Sequence, residues 1–543
     1  MICLNFVSPD ITLLLYHKDL KKKRLDYAIA FFWFLLYSFL MISKVYSAIP
    51  YGYEGYIVEI EGNTTRGLPN FTIVGMADKT INESRERVRN AIVSSAFSFP
   101  DKKLLINLAP ADLPKDGSYL DLPIALSVLI ASSQLQQKDV DDKLFVGELA
   151  LDGKLRPVKG IINIVETARS AGITEIYVPK QNADQAALIP NVTIYGVDSL
   201  QELFLHLKNE KKILSTEHVV KKTQTDIHGP IFDHIRGQNL AKRALAIAVA
   251  GHHNILISGP PGAGKTLLAR AAANLLPSLT PEEQIAITKI HSLSGQSIED
   301  IITTRPFRSP HHTSSLTSII GGGPKAFPGE ISLAHQGVLF LDEIPEFPRH
   351  ILESLRQPLE DKNISISRAN HKTKYPCDFM LIATMNPCPC GYAGDPTHVC
   401  TCTMTQKENY LKKLSGPLFD RIDMNISVNK VDNSDLLKHT TNSTAEHEKL
   451  KSDIARATSI QQDRYHSQDK YNSSLSSHEV STLLRLDPAS EKLLATASDK
   501  LNLSARSYFK VIKVAQTISD LDPSSDGSIL PAHISEALSF RRR

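Results

Sequence analysis

Eight consecutive residues, Gly259, Pro260, Pro261, Gly262, Ala263, Gly264, Lys265 and Thr266, fit the pattern G-x-x-x-x-G-K-[ST]. In that pattern glycines let backbone N–H groups curl around phosphate oxygens, the lysine reaches the β- and γ-phosphates, and the threonine hydroxyl ligates Mg²⁺. Downstream, the run GVLFLDE ends in Asp342 and Glu343. Asp342 would complete the Mg²⁺ shell and Glu343 would polarise an attacking water. The implied chemistry is hydrolysis of a nucleotide with Mg²⁺. A bare glycine turn and an acidic turn after a core strand are the plainer alternatives, and the flanking residues weigh against both. Asn254 to Ser258 is a short apolar run and LLARAAANLL has helical periodicity, which gives strand, loop and helix in the order that points a helix N-terminus at phosphate. GVLFL is apolar on both faces, as a central strand of a parallel sheet must be, and ligands gather beyond the carboxyl ends of such strands.

The 543 residues suffice for several cores, and 42% apolar with 22% charged residues describes a globular protein. Sixty-one basic against 58 acidic residues leave a net charge of +3, so any nucleic-acid binding must come from local patches. Of six cysteines, Cys388, Cys390, Cys400 and Cys402 form C-x-C-x9-C-x-C. Four thiolates suit a tetrahedral structural Zn²⁺ in a reducing compartment, the cytoplasm. The spacing departs from the commoner C-x-x-C knuckle, so four reduced cysteines stay open as the alternative. His398 is a substitute ligand on the same reasoning.

Residues 1–40 do not fit the rest. KKKR at Lys21 to Arg24 precedes the apolar run Tyr27 to Ile42, which is short for a spanning helix. The favoured reading is a start codon called too early, with translation beginning at Met41; a membrane anchor, and with it membrane contact, is the alternative. Residues 41–207 alternate strand-like runs (IVEIE, FTIVGM, KLLINLAP) with helical ones (NESRERVRNAIVSSAF, LDLPIALSVLIASSQL), and a hairpin is expected around Asp152-Gly153. Residues 208–229 are polar without periodicity and read as a linker. Residues 230–430 hold the nucleotide motifs. From 431 to 543 the chain is polar and helical.

NISISRANHKTKYPCDFMLIAT reads as two strands joined by a basic turn around Asn370 to Thr373. Arg368, His371, Lys372 and Lys374 would meet a nucleic-acid backbone there, unless the turn is merely solvated. His311 and His312, in a Gly/Pro/Ser-rich insertion, could contact metal or phosphate, though paired loop histidines are more often structural.

Val146 to Asn182, with PKDG at Pro114 to Gly117, resembles the proteolytic domain of Lon-type proteases. The catalytic pair does not carry over: Ser118 stands one position early and Lys159 is displaced. That resemblance implies a Lon-like (ribosomal S5 domain 2-like) α+β domain without peptidase activity. FDHIRGQNLAKRALAIAVAGHHNILISGPPGAGKT resembles the AAA+ ATPases, and the insertions with NPCPCG closely resemble the magnesium-chelatase-like AAA+ family of ComM/YifB type, essentially from Met41 to the C-terminus. The fold class implied is α/β: a Lon-like domain, an AAA+ P-loop module and a helical C-terminal lid. The resemblance places Ile235 to Gln238 near the adenine and makes the strand end with Thr384 and Asn386 the position of the polar sensor, Asn386 being the catalytic candidate. It makes Arg421, in LFDRID, a finger for the neighbouring subunit's γ-phosphate, and Arg506 the second sensor. It further implies a homo-hexamer that moves single-stranded or branched DNA during recombination of incoming strands. The alternative is a chelatase-type ATPase acting on a metal-insertion partner; a nucleotide-dependent scaffold is a third reading, disfavoured by the intact Glu343.

Overall fold

The computed structural model describes residues 42–75, 79–113, 115, 118–218, 230–294, 300–323, 326–367, 372–395, 398–430 and 444–541. The first forty residues, the turn residues Arg368 and His371, and the greater part of the expected linker lie outside them. The chain divides into two compact units. One runs up to Ile49 and takes Tyr56–Val158 and Ile164–Glu217; the other takes Pro50–Gly55, Lys159–Asn163 and His218–Arg543.

The first unit is built on an eight-stranded sheet. Its strands are β1 (Ser43–Tyr51), β2 (Glu54–Thr65), β3 (Asn70–Val74), β4 (Lys103–Ala109), β5 (Lys143–Phe145), β8 (Glu175–Pro179), β9 (Thr193–Val197) and β10 (Ser215–Thr216). Their order is β10-β9-β8-β5-β1-β2-β4-β3. The short hairpin of β6 (Glu148–Leu149) and β7 (Leu155–Arg156) turns at Asp152-Gly153, where Gly153 has φ +82°. Helix α1 (Lys79–Ser94) and α2 (Asp121–Ala131) pack on this sheet; α2 is buried from Asp121 to Ile130, which explains its apolar sequence. Ser215 and Thr216, inside the stretch read as a linker, pair antiparallel with Tyr195 and Ile194. A two-residue edge strand carries no periodicity by which sequence could mark it.

In the second unit, β11 (Ile255–Ser258), β12 (Phe307–Arg308), β15 (Val338–Leu341), β18 (Met380–Met385) and β19 (Met424–Ser427) make a wholly parallel sheet in the order β12-β15-β18-β11-β19. Two small antiparallel pairs stand apart from it: β13 (Gly321–Gly322) with β14 (Phe327–Pro328), and β16 (Asn363–Ser367) with β17 (Lys372–Pro376). All of β15 and β18 is buried, as a two-sided core strand requires. Helices α3 (Asn239–Gly251) and α4 (Lys265–Ala273) cover one face. The C-terminal helices α5 (Ala445–Tyr465), α6 (Pro488–Leu501), α7 (Ala505–Leu521) and α8 (Pro531–Ser539) contribute Ile454, Leu494, Val514, Ile518 and Ile534 to the same core as Ile255 and Ile257. The helical region expected as a lid therefore shares its core with the sheet, because the apolar face of α7 needs the surface of α3 to be buried.

Candidate nucleotide site

Strand β18 lies between β11 and β15, in register with both. Ile257 stands opposite Thr384, and Leu341 opposite Ala383. Parallel register brings three carboxyl ends to one edge: the P-loop after β11, Asp342 and Glu343 after β15, and Thr384 with Asn386 at the end of β18. The P-loop turns on Gly262 and Gly264, both at φ +79°. A side chain at Gly259 would come within 2.5 Å of Val428 O, so the loop can leave the sheet there only without a Cβ.

The polar groups form one connected chain. Lys265 Nζ donates to Gly259 O (2.5 Å), Pro260 O (3.2 Å) and Asn386 Oδ1 (2.9 Å), and Asn386 Nδ2 donates to Glu343 Oε1 (3.2 Å). Thr266 Oγ1 donates to Asp342 Oδ2 (3.2 Å), while Thr384 Oγ1 donates to Asp342 Oδ1 (2.5 Å) and accepts from Glu343 N (3.0 Å). Glu343 itself sits in the left-handed region, φ +51°, a conformation a non-glycine residue adopts only where its surroundings hold it. Burial lowers the Lys265 pKa, opposed by the Asp342 and Glu343 carboxylates. Six side chains from three segments thus converge where a phosphate–Mg²⁺ group would lie. Thr384, which the resemblance puts at the sensor position beside Asn386, joins them through Asp342 and the Glu343 backbone, contacts that depend on which strand is its neighbour.

Three sequence families match the chain: "Magnesium chelatase, subunit ChlI" over residues 231–436, "Subunit ChlI of Mg-chelatase" over 60–182, and "Magnesium chelatase, subunit ChlI C-terminal" over 444–541. "Competence protein ComM" of Haemophilus influenzae is 40% identical over 505 residues, 92% of this chain and 97% of that protein. The chain belongs to the magnesium-chelatase-like family of ComM and YifB. Escherichia coli YifB is likewise 40% identical over 505 residues, with the same coverage. The family reaches further, to a "Magnesium-chelatase 67 kDa subunit" of Chlorobaculum parvum, 26% identical over 160 residues, 29% of this chain and 23% of that one.

The other residues expected from this ATPase family lie elsewhere in the second unit. Arg421 donates from Nε to Arg356 O (3.0 Å), from Nη1 to Pro417 O (2.7 Å) and from Nη2 to the Glu360 carboxylate. Arg506 approaches the same Glu360 at 3.8 Å. The two arginines are therefore together, but within their own chain they meet Glu360 and not the P-loop cluster. Ile235 is buried and Gln238 Nε2 donates to Asn429 O (2.5 Å).

The four cysteine sulfurs lie within 4.8 Å of one another. Cys388 Sγ is 3.3 Å from Cys390 Sγ and 3.7 Å from Cys400 Sγ, and Cys390 to Cys400 is 3.6 Å. None of the four is in a disulfide. His398 is not among them; its ring stacks on Tyr392 (4.7 Å) and its Nδ1 lies 3.6 Å from Asp395. On the hairpin, Lys372 falls within β17, Thr373 is buried and Lys374 is exposed. Lys372 and Thr373, expected in the turn, thus belong to β17, since alternation carries the strand back to Lys372. His311 bonds its neighbour Thr313 (2.8 Å) and packs on His312 (4.1 Å between rings), a local loop arrangement.

Proposed function

We propose that this chain is a ring-forming AAA+ ATPase that hydrolyses ATP and uses the energy to move along single-stranded or branched DNA. The connected chain Lys265–Asn386–Glu343 with Thr266–Asp342–Thr384 supports the hydrolytic half. Its residues suit a magnesium nucleotide: Thr266 and Asp342 would hold Mg²⁺, which supplies charge neutralisation between phosphates. Lys265 and the P-loop N–H groups bind and orient the polyphosphate. Glu343 accepts the proton of a water aligned by Asn386 as the oxygen attacks γ-phosphorus; the bond to the β–γ bridging oxygen breaks, giving ADP and inorganic phosphate. Arg421, with Arg506 beside it on Glu360, would serve the nucleotide of the next copy in the ring, where charge grows in the transition state.

For DNA, two things support the reading: the Haemophilus relative is named a competence protein, and the β16–β17 hairpin carries exposed Lys374 beside a turn with further basic residues. The decisive test is ATP turnover with and without single-stranded and branched DNA. Stimulation is expected, and turnover indifferent to both DNAs would leave the chelatase-type reading, action on a metal-insertion partner, which the Chlorobaculum likeness favours.

The first unit is proposed to be a Lon-like fold without peptidase activity. Ser118 Oγ donates to the Glu148 carboxylate and Lys159 is exposed, so this serine has an acid and not a lysine as its partner. The four cysteines are proposed to hold a structural Zn²⁺. Ligands at about 2.3 Å from a tetrahedral zinc stand about 3.8 Å apart. The observed sulfur spacings are close to that and far longer than a disulfide.

A further inference from the structure

The β16–β17 hairpin has two unlike faces. Ile364 stands opposite Tyr375 and Ile366 opposite Thr373, and alternation puts these four side chains on one face; Ser365 and Lys374, also opposite each other, take the other. The first four are buried and Lys374 is exposed. A two-stranded ribbon is marginal by itself, so its inward face has to be held by other parts of the chain.

Part of that support is the turn Pro50–Gly55, which belongs to the second unit. Gly52 lies directly against Thr373: a Cβ there would collide with Thr373 Cγ2 and stand 2.9 Å from its Oγ1 and 3.1 Å from its Cβ. The φ of Gly52, +58°, asks for glycine on separate grounds. Tyr53 packs on the core cluster that contains Ile364, Ile366 and Tyr375, with its ring edge-on to that of Tyr375 (6.2 Å between centroids, 71° between planes). Lys289 Nζ, from the helix Pro281–Ser294, lies 3.9 Å from the centroid of the Tyr53 ring. Asn163 Nδ2 donates to Tyr53 O at 2.8 Å and so fixes the backbone of the turn. Tyr375 is also tied from its hydroxyl to Ala326 O (2.8 Å), whereas Thr373 and Ile366 form the last inward pair before the hairpin turn. Gly52 therefore bears on the hairpin close to the end that carries its basic turn.

We propose that Gly52 and Tyr53 are positioning residues for the β16–β17 hairpin, holding its inward face so that the Lys374 face is presented in one place. A ribbon free to swing would spread that lysine over many positions, and ordering it on a polynucleotide would cost binding free energy. The consequence for turnover rests on the DNA reading proposed above; the anchoring of the hairpin does not.

Two readouts on the full chain test this. The first is hydrogen exchange by mass spectrometry over residues 363–376, with β15 as the internal reference. Gly52→Ala and Tyr53→Ala should each speed exchange in the hairpin at least tenfold and leave β15 at the parent rate. Adding Thr373→Ala to Gly52→Ala removes the colliding Cγ2 and should restore slow exchange, which backbone strain at Gly52 alone would not allow. Tyr53→Phe keeps the ring and should exchange like the parent. The second readout is ATP turnover with and without single-stranded DNA. Gly52→Ala and Tyr53→Ala should keep basal turnover within twofold and lose at least fivefold of the stimulation, with recovery in the Gly52→Ala, Thr373→Ala pair and in Tyr53→Phe. Hairpin exchange unchanged in both Ala variants overturns the proposal, and so does faster exchange with full stimulation by DNA. Variants that lose melting temperature and basal turnover together, unrepaired by Thr373→Ala or Tyr53→Phe, overturn it as well, by marking the turn as merely structural. A parent chain that DNA does not stimulate would sink the DNA reading, while the exchange readout would still decide the anchor.

Discussion

Lys265 and Glu343 share a hydrogen-bonded chain through Asn386, yet they fail differently when removed. Lys265→Ala deletes the cation that answers the phosphates and should abolish ATP binding. Glu343→Gln keeps the geometry, including the bond from Asn386, and removes only the base; ATP should bind near normally while kcat falls by about 10²–10³. Equilibrium binding beside steady-state turnover separates the two, and ordinary turnover by the Gln variant would dismiss Glu343 as the base. Thr384 makes a subtler case. Its hydroxyl bonds Asp342 Oδ1 and accepts from Glu343 N, so Thr384→Val leaves both groups short of a partner at constant volume. The expected cost is about 1–3 kcal/mol in stability, together with a raised Mg²⁺ requirement in the ATPase assay.

Between residue and molecule, the cysteine loop is the element whose fate is most easily measured. It begins two residues after Asn386, and its Gly391 lies so close to Pro261 of the P-loop that a Cβ there would approach Pro261 Cδ to 2.8 Å. Protein purified without chelator should carry one zinc per chain. Cys388→Ser with Cys400→Ser should lose it and lower both melting temperature and turnover. Much less than one zinc, with ATPase intact, would leave four reduced thiols. A second element-scale effect comes from His335, just before β15. Burial pushes its pKa down to about 4, among Asp378, Lys362 and Arg305, and its Nδ1 accepts from Asp378 N at 3.1 Å. The unfolded chain binds this proton more readily between pH 6.5 and 4. Stability is therefore complete above pH 6.5 and declines as pH falls toward 4, by on the order of 2–3 kcal/mol. Chemical denaturation of the parent and of His335→Gln across that window should give curves that converge toward low pH; parallel curves would remove His335 from the account.

For the whole molecule, Arg421 and Arg506 meet on Glu360 while the P-loop cluster is complete without them. If they act on the next copy, Arg421→Ala and Lys265→Ala chains, each inactive alone, should recover part of the turnover when mixed, at interfaces pairing a sound P-loop with a sound finger. No recovery in verified mixed assemblies would confine Arg421 to its own chain. Among the described residues no helix is long and apolar enough to cross a membrane.

The P-loop and the acidic strand were legible from residues alone because each is a local device. A strand, a glycine turn and a helix follow one another in sequence, and a strand buried on both faces is apolar throughout. The cysteine cluster was legible for the same reason, being confined to fifteen residues. What sequence did not carry is adjacency between distant segments. The order β12-β15-β18-β11-β19 places β18 beside both nucleotide motifs and sets the Thr384 hydroxyl on Asp342, and nothing in the string LIATMNP states which strands flank it. Likewise Lys510 and Lys513 look like solvated charges of an amphipathic helix. Only the packing of α7 on the sheet, driven by its Val511, Val514 and Ile518 face, turns them toward Arg421 and encloses them in one cavity.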